Sequence, residues 1–206
     1  VDRRVEEIEV ERRVVPDQDR ALATMPLRRR AHRHEDLVEA FALVHGEGLQ
    51  PWQWVSSNFL HAGFGHLFGN MVFLWVFGLV VEGKLGWQRF LACYLGIAAL
   101  QCAVEQMLMQ GSSAPPSLGA SAAIYGLMAI AAVWAPKNEV EFFYWFAIFA
   151  GTVDVPIGLL CGLYVGMDLL FAVLAGMVGS SSWLHLMGAA IGFPLAIIML
   201  KRKVVD

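Results

Sequence analysis

Long apolar stretches alternate with short polar connections along most of the chain. Five stretches of mostly apolar residues lie at about 61–82, 87–109, 119–135, 155–175 and 183–200. A helix of about 20 apolar residues is needed to cross the roughly 30 Å hydrocarbon core of a bilayer. The pattern therefore predicts an all-α fold, a polytopic membrane helical bundle with about five transmembrane helices in this chain.

The chain outside these stretches divides into three kinds of segment. Residues 1–50 are rich in Arg and Glu and hold no apolar run long enough for a span, so we expect a flexible charged arm. Residues 51–203 form the membrane domain, and 204–206 form a short C-terminal tail. The apolar piece from Phe142 to Ala150 is too short to cross a bilayer, which indicates an interfacial or re-entrant segment.

Composition and charge agree with a membrane protein and suggest its orientation. Hydrophobic residues make up 57% of the chain and the mean hydropathy is +0.56. Basic residues lie in the connections at 83–89, 136–141 and 201–206, whereas 110–117 and 176–182 carry no charge. The positive-inside rule then places the C-terminus in the cytoplasm and the starts of the third and fifth spans near the other face.

Two polar side chains in these spans predict chemistry. Ser121 opens the third span, and His185 lies near the start of the fifth. A serine hydroxyl becomes a nucleophile when a neighbouring histidine accepts its proton. The two spans must touch for this to happen, and Gly188 and Gly192 provide a small-residue face on the helix of His185. Ala122 and Gly126 form a matching face beside Ser121.

A second pair of residues predicts an oxyanion site. His66 and Asn70 are four residues apart on the first span, so both can donate hydrogen bonds toward one point. The Ser121 backbone N–H is a third donor. No acidic residue is evidently placed to orient His185, which favours a Ser-His dyad, with the Tyr125 ring holding the imidazole. We expect Asp168, in the fourth span, to bond to a neighbouring helix.

These residues resemble the rhomboid family of intramembrane serine proteases, over about residues 51–203. The resemblance implies that Ser121 is the nucleophile and His185 the general base, that His66 and Asn70 are the oxyanion donors, and that Tyr125 and His61 support them. The matching motifs are Gly119-Ala-Ser121-Ala122, His185-Leu-Met-Gly188-Ala-Ala-Ile-Gly192 and His61-Ala-Gly-Phe-Gly-His66-Leu-Phe-Gly-Asn70.

Two features depart from the family pattern. The residue after the serine is usually Gly and here is Ala122, whose methyl group is expected to crowd the oxyanion site. The family core usually has six helices, and the first has no counterpart in residues 1–50. Because the sequence also begins with Val, we expect that a preceding helix is missing from it.

The leading hypothesis is an intramembrane serine endopeptidase that cleaves transmembrane segments of other membrane proteins. The alternatives are an inactive rhomboid-like protein that binds transmembrane helices and a haem or metal protein that uses His61, His66 and His185. The sequence predicts no cofactor, no metal and no nucleic-acid partner, and it indicates no oligomeric state. The partners are the lipid bilayer and transmembrane substrates, and the expected location is a bacterial inner membrane.

Overall fold

A computed structural model describes residues 37–146, 149–175 and 180–205. The chain forms two compact units, residues 1–40 and 41–206. Residues 1–36 of the predicted arm lie outside the described residues. The second unit contains a short helix α1 (Gln53–Ser56), a 3-10 turn (Ser57–Phe59), the helices α2 (Phe64–Leu85), α3 (Trp87–Leu108) and α4 (Ser121–Trp134), the strands β1 (Glu139–Phe146) and β2 (Phe149–Pro156), and the helices α5 (Ile157–Ala175) and α6 (Ser181–Lys201).

Four of these helices are long and apolar enough to cross a membrane, namely α2, α3, α5 and α6. The third predicted stretch becomes α4, which has only 14 residues and is about 21 Å long. It lies at the centre of the bundle, where Leu127, Met128 and Ile130 are fully buried. The helical membrane bundle predicted from the sequence is therefore confirmed, with four long helices around a shorter one.

Helices α4 and α6 pack closely because their contact faces lack side chains. A β-carbon added to Gly188 would overlap the Ala122 carbonyl oxygen, and one added to Gly192 would overlap that of Gly126. The Trp134 indole N–H donates to the Ala196 carbonyl oxygen over 3.1 Å at the far end of the pair. The contact predicted between the two small-residue faces is thus present.

The segment between α4 and α5 is a β-hairpin. β1 and β2 pair antiparallel from Glu139 opposite Pro156 to Phe146 opposite Phe149. Aromatic and β-branched residues fill both strands, and such residues favour extended backbone. The interfacial or re-entrant segment that we expected at Phe142–Ala150 is the far half of this hairpin.

The end of the predicted arm is not flexible. Leu43 forms an antiparallel bridge with Ser117, and the Val44 N–H donates to the Gln53 side-chain oxygen over 3.0 Å. Ala42 and Leu43 have no exposed surface. Residues 41–50 therefore belong to the same compact unit as the membrane helices, which begins at Phe41.

The chain end also packs on the bundle. After α6 ends, the Lys203 N–H donates to Leu200 and the Val204 N–H to Met199, which turns the chain back. Val205 is 6% exposed and belongs to the core. Val204 and Val205, which belong to the predicted tail at 204–206, thus pack on the bundle.

Candidate active site

Helices α2, α4 and α6 enclose a cavity of about 420 Å³. Most of the polar residues singled out from the sequence face it. Its lining includes His66, Asn70, Ser121, Tyr125 and His185, together with Ser181 from the first turn of α6. Phe73, Leu118, Ile124 and Leu184 provide apolar walls. Residues from three helices, up to 119 positions apart in the chain, therefore meet in one chamber.

Ser121 is the first residue of α4. The N–H groups of a first helical turn have no partner within the helix, and the helix dipole places partial positive charge there. Helix α6 also begins at the cavity, with Ser180 as its N-cap. A negative oxygen that forms beside Ser121 would therefore lie near two helix N-termini.

His185 is held above the first turn of α4 by a ring contact. Its imidazole stacks on Tyr125, with 4.3 Å between ring centroids and 11° between planes. Tyr125 is four residues after Ser121, which is about 6 Å along the same helix. The stacking expected from the sequence is present, and the imidazole lines the same cavity as Ser121.

The structure also places an acidic residue against His185, contrary to our expectation. The Asp168 side chain on α5 lies with its Oδ2 atom 3.1 Å from His185 Nδ1. Asp168 is only 8% exposed. Because an ionised carboxylate can only accept, Nδ1 carries the proton and Nε2 is left as an acceptor. Asp168 does bond to a neighbouring helix, but its partner there is the imidazole of the site.

His66 and Asn70 lie together next to Gly119, just before Ser121. A β-carbon on Gly119 would come within 2.7 Å of the His66 ring and 3.7 Å of the Asn70 amide nitrogen. Gly119 also has a φ of +114°, which disfavours any other residue. The Ala62 N–H approaches His66 Nδ1 at 3.4 Å, so Nε2 carries the proton when the ring is neutral.

The Asn70 amide nitrogen is a donor without a partner. It is buried and makes no hydrogen bond to any described residue. An unpaired buried donor costs about 1–3 kcal/mol, so native proteins rarely keep one. This donor and His66 line the same cavity and are free to bind an oxygen atom.

His61 lies beside His66, with 5.2 Å between ring centroids, and it is not among the residues that line the cavity. Burial and the neighbouring His66 lower the pKa of His61 below its ordinary value of 6.5. His61 is therefore neutral near neutral pH and supports His66 from the side.

Ala122 does not crowd the cavity as we expected. Its side chain is 5% exposed and is absent from the cavity lining, and its carbonyl oxygen faces Gly188. Ala122 is therefore buried in the core between helices and does not line the cavity.

A buried polar cluster holds the backbone before Ser121. We did not predict this cluster from the sequence. Glu105 accepts hydrogen bonds from Ser117 Oγ and, over 2.7 Å, from the Gln101 amide. His45 Nε2 lies 3.1 Å from the same carboxylate. The Gly119 N–H then donates to the Ser57 carbonyl oxygen over 2.9 Å. Three polar residues at the end of an apolar span, Gln101, Glu105 and Gln106, were the available signal.

The described residues contain no group of three or more His, Cys, Asp or Glu side chains that could hold a metal ion. His61, His66 and His185 are therefore not grouped as a three-histidine site for a metal ion.

Comparison with known proteins gives a consistent result. A family model described as "Rhomboid domain" matches residues 48–202. The chain is 30% identical to "RHOMBOID-like protein 4" of Arabidopsis thaliana over 156 residues, which are 76% of this chain and 36% of that protein. It is 31% identical over 98 residues to "Rhomboid protease GlpG" of Yersinia pseudotuberculosis, 45% of this chain and 33% of that protein.

A third relative is "Rhomboid-like protease 3" of Toxoplasma gondii, 34% identical over 95 residues, 44% of this chain and 35% of that protein. The chain thus spans about a third of the length of these curated relatives.

Proposed function

Because the chain belongs to the rhomboid family, we propose that it is an intramembrane serine endopeptidase that cleaves transmembrane segments of other membrane proteins. Two of the relatives above are named as proteases. The observation that carries the proposal is the single cavity, which Ser121, His185, His66 and Asn70 line together.

The first half-reaction forms an acyl-enzyme. Ser121 Oγ attacks the carbonyl carbon of the substrate peptide bond, and its proton passes to His185 Nε2. The C–N bond then breaks, and the imidazolium returns the proton to the leaving amine. In the second half-reaction a water molecule attacks the ester carbon, His185 takes its proton, and Ser121 leaves with that proton.

The oxyanion of each tetrahedral intermediate is stabilised by three donors. These are the Asn70 amide, the His66 Nε2–H and the Ser121 backbone N–H. In a soluble serine protease, one such donor lowers the barrier by about 3–4 kcal/mol. The unpaired Asn70 donor supports this role, since the cost of leaving it unpaired is recovered when the oxyanion forms.

The cavity lies at the N-terminal ends of α4 and α6, and the basic C-terminal residues Lys201, Arg202 and Lys203 lie at the other end of α6. With the C-terminus in the cytoplasm, the cavity faces the opposite side, which in a bacterial inner membrane is the periplasmic side. Substrate segments would enter from the bilayer, and water from that side.

Labelling with a fluorophosphonate probe tests the proposal. The purified chain in detergent should be labelled, Ser121→Ala should lose all labelling, and His185→Ala should lose most of it. Ser181→Ala is the matched control, since Ser181 lines the same cavity but has no role in the mechanism. Cleavage of a membrane-reconstituted single-span protein should follow the same order.

Equal labelling of the wild type and Ser121→Ala would refute the assignment of the nucleophile. Tight binding of transmembrane peptides without labelling or cleavage would instead indicate an inactive, helix-binding member of the family.

A further inference from the structure

Asp168 is a buried carboxylate that the dyad mechanism does not use. It lies within the apolar helix α5, where placing a charge is costly, and such residues in membrane spans are usually functional. Its Oδ2 atom lies 3.1 Å from His185 Nδ1, and Tyr125 stacks on the same imidazole. Asp168 therefore contacts an imidazole that lines the cavity together with Ser121.

Resting on the function proposed above, we propose that Asp168 is a positioning residue that makes the site a Ser-His-Asp triad. Its carboxylate accepts the Nδ1–H of His185, which fixes the tautomer in which Nε2 can accept the proton of Ser121. The same negative charge stabilises the imidazolium that forms when Ser121 gives up its proton. No proton moves to Asp168 during the reaction.

A purely structural bond between helices predicts a different response to substitution. Asp168→Asn keeps the shape and can still bond to the imidazole, so a structural role would lose some stability and little turnover. A positioning role loses the charge and the preference for one tautomer. In soluble triad proteases the same change lowers kcat by about 10⁴-fold.

Steady-state kinetics on the chain in liposomes separate these cases. We expect Asp168→Asn to lower kcat by about 10²–10⁴-fold and to leave KM within about twofold, because the lost contact acts only in the transition state. Asp168→Glu should recover part of kcat.

Glu82→Gln is the matched control. Glu82 is also a carboxylate within an apolar helix, near the end of α2, but it does not line the cavity. This variant should leave kcat per folded molecule unchanged. Asp168→Asn with wild-type kcat, beside an inactive Ser121→Ala, would overturn the triad and leave the protease function standing.

Nitrogen NMR of the chain labelled with ¹⁵N-histidine gives a readout that needs no activity. The six histidines yield a signal for His185 that is identified by its loss in His185→Gln. In the wild type this signal should show a proton on Nδ1, and in Asp168→Asn that preference should be lost. A wild-type His185 protonated on Nε2 alone would overturn the proposal even if the chain proved inactive.

The β-hairpin carries a second, independent observation. Its aromatic side chains are exposed on both faces of the strands, whereas a strand packed against a protein partner normally buries one face. Phe143 and Trp145 point to one side and are 70% and 77% exposed, and Tyr144 and Phe146 point to the other and are 48% and 79% exposed. An isolated two-stranded hairpin is marginally stable in water at best.

We infer that this hairpin inserts its aromatic half into the headgroup region of the bilayer. Contact with lipid on both faces of the strands fits this exposure. The hairpin also continues directly into the lipid-facing helix α5 at Ile157. Trp and Tyr prefer the membrane–water interface. The hairpin has two open edges whose N–H and C=O groups need water, which excludes the hydrocarbon core and favours the interface.

The charges on the hairpin agree with this placement. Glu139, Glu141 and Asp154 lie in its first half, near the helix ends, and Glu141 is opposite Asp154. The aromatic pairs lie farther along, toward Phe146 and Phe149. The hairpin therefore has an acidic, water-facing half and an aromatic half. It leaves α4 at the end opposite Ser121, so it anchors the membrane face opposite the cavity.

Spin labels on single cysteines test the inference in liposomes of phosphatidylethanolamine and phosphatidylglycerol. Labels at 143, 144 and 145 should all collide more with lipid-soluble oxygen than with a water-soluble nickel chelate. A label at 141 should show the reverse. The native Cys93, Cys102 and Cys161 are buried, so wild-type protein treated with the label gives the background.

Two other results would overturn the inference. Protection at 143 and 145 but not at 144 would indicate a protein partner on one face, and dipolar broadening between labels that depends on protein density would indicate a second copy of the chain. Free collision with the nickel chelate at all three positions would place the hairpin in water.

Discussion

Several side chains of the site are arranged at a cost to the resting protein. Asn70 buries an amide nitrogen without a partner, and Asp168 buries a carboxylate within an apolar helix. Gly119 holds a backbone conformation that other residues avoid. Each of these lies within one or two contacts of Ser121 or His185. These three unfavourable arrangements therefore lie where the proposed mechanism needs a donor, a negative charge and a close backbone approach.

The Asn70 donor gives the first prediction. Asn70→Ala should lower kcat by about 10²–10³-fold with little change in KM, because the lost hydrogen bond forms only with the oxyanion. Kinetics with a reconstituted single-span substrate measure both constants. Asn58→Ala is the control: Asn58 is also buried, but its amide donates to the Trp54 carbonyl oxygen outside the cavity. A loss confined to KM would argue for substrate binding instead.

The His45–Glu105 pair gives a prediction on pH. The hydrogen bond with Glu105 raises the pKa of His45 above 6.5, although burial opposes this. A raised folded-state pKa means that the pair stabilises the fold fully below 6.5 and loses this contribution as the pH rises through the raised value. The melting-temperature advantage of wild type over His45→Gln should therefore shrink as the pH rises above 6.5.

His61 provides a control of opposite sign. Its folded-state pKa is lowered, so its contribution to the stability of the fold is complete above pH 6.5 and is lost as the pH falls. The advantage of wild type over His61→Gln should accordingly shrink as the pH falls. If both differences stayed constant with pH, neither histidine would titrate differently in the folded and unfolded states.

At the scale of elements, the approach of α4 and α6 decides whether serine and histidine meet. Gly188→Ala should destabilise the bundle by about 1–3 kcal/mol or more, because the new methyl group meets a backbone carbonyl that no side-chain rotation can clear. Activity should fall with it, since a shift of α6 moves His185 away from Ser121. Thermal unfolding followed by circular dichroism measures the stability.

Gly166→Ala on α5 is the matched control. A β-carbon there meets nothing within 4 Å, and alanine is the better helix former. Stability should be unchanged or slightly higher. Equal destabilisation by the two substitutions would show that the glycines matter for helix propensity and not for the contact of α4 with α6.

Much of this arrangement was predictable because it follows from residue type and spacing. Apolar length predicts the helices, and the stripes of Gly188 with Gly192 and of Ala122 with Gly126 predict which two touch. The hairpin was not predicted, because its strands are short apolar runs with no clear period. The Asp168–His185 contact was missed because the two residues are 17 positions apart on different helices. Their contact depends on how those helices pack and on the rotation of each. Polar residues inside the spans, Asp168 and Glu105, were the signals that we undervalued.

At the scale of the whole molecule, the depth of the site follows from helix lengths. α4 is about 21 Å long, shorter than the roughly 30 Å hydrocarbon core, whereas the helices around it have 19 to 22 residues. We therefore expect Ser121, at its start, to lie below the membrane surface. The proposed hydrolysis at that depth needs water, and the cavity around Ser121 would admit it on the face where α4 and α6 begin.

That orientation is testable without any substrate. Ser113 lies in the exposed connection before α4, at the cavity end, and Arg202 follows α6 at the other end. In bacterial cells, a membrane-impermeant maleimide should label Ser113→Cys directly and Arg202→Cys only after permeabilisation, because the basic C-terminal end stays in the cytoplasm. The native cysteines are buried and should add little background. Labelling of both positions from the same side would be incompatible with a single bundle that opens its cavity to the non-cytoplasmic face.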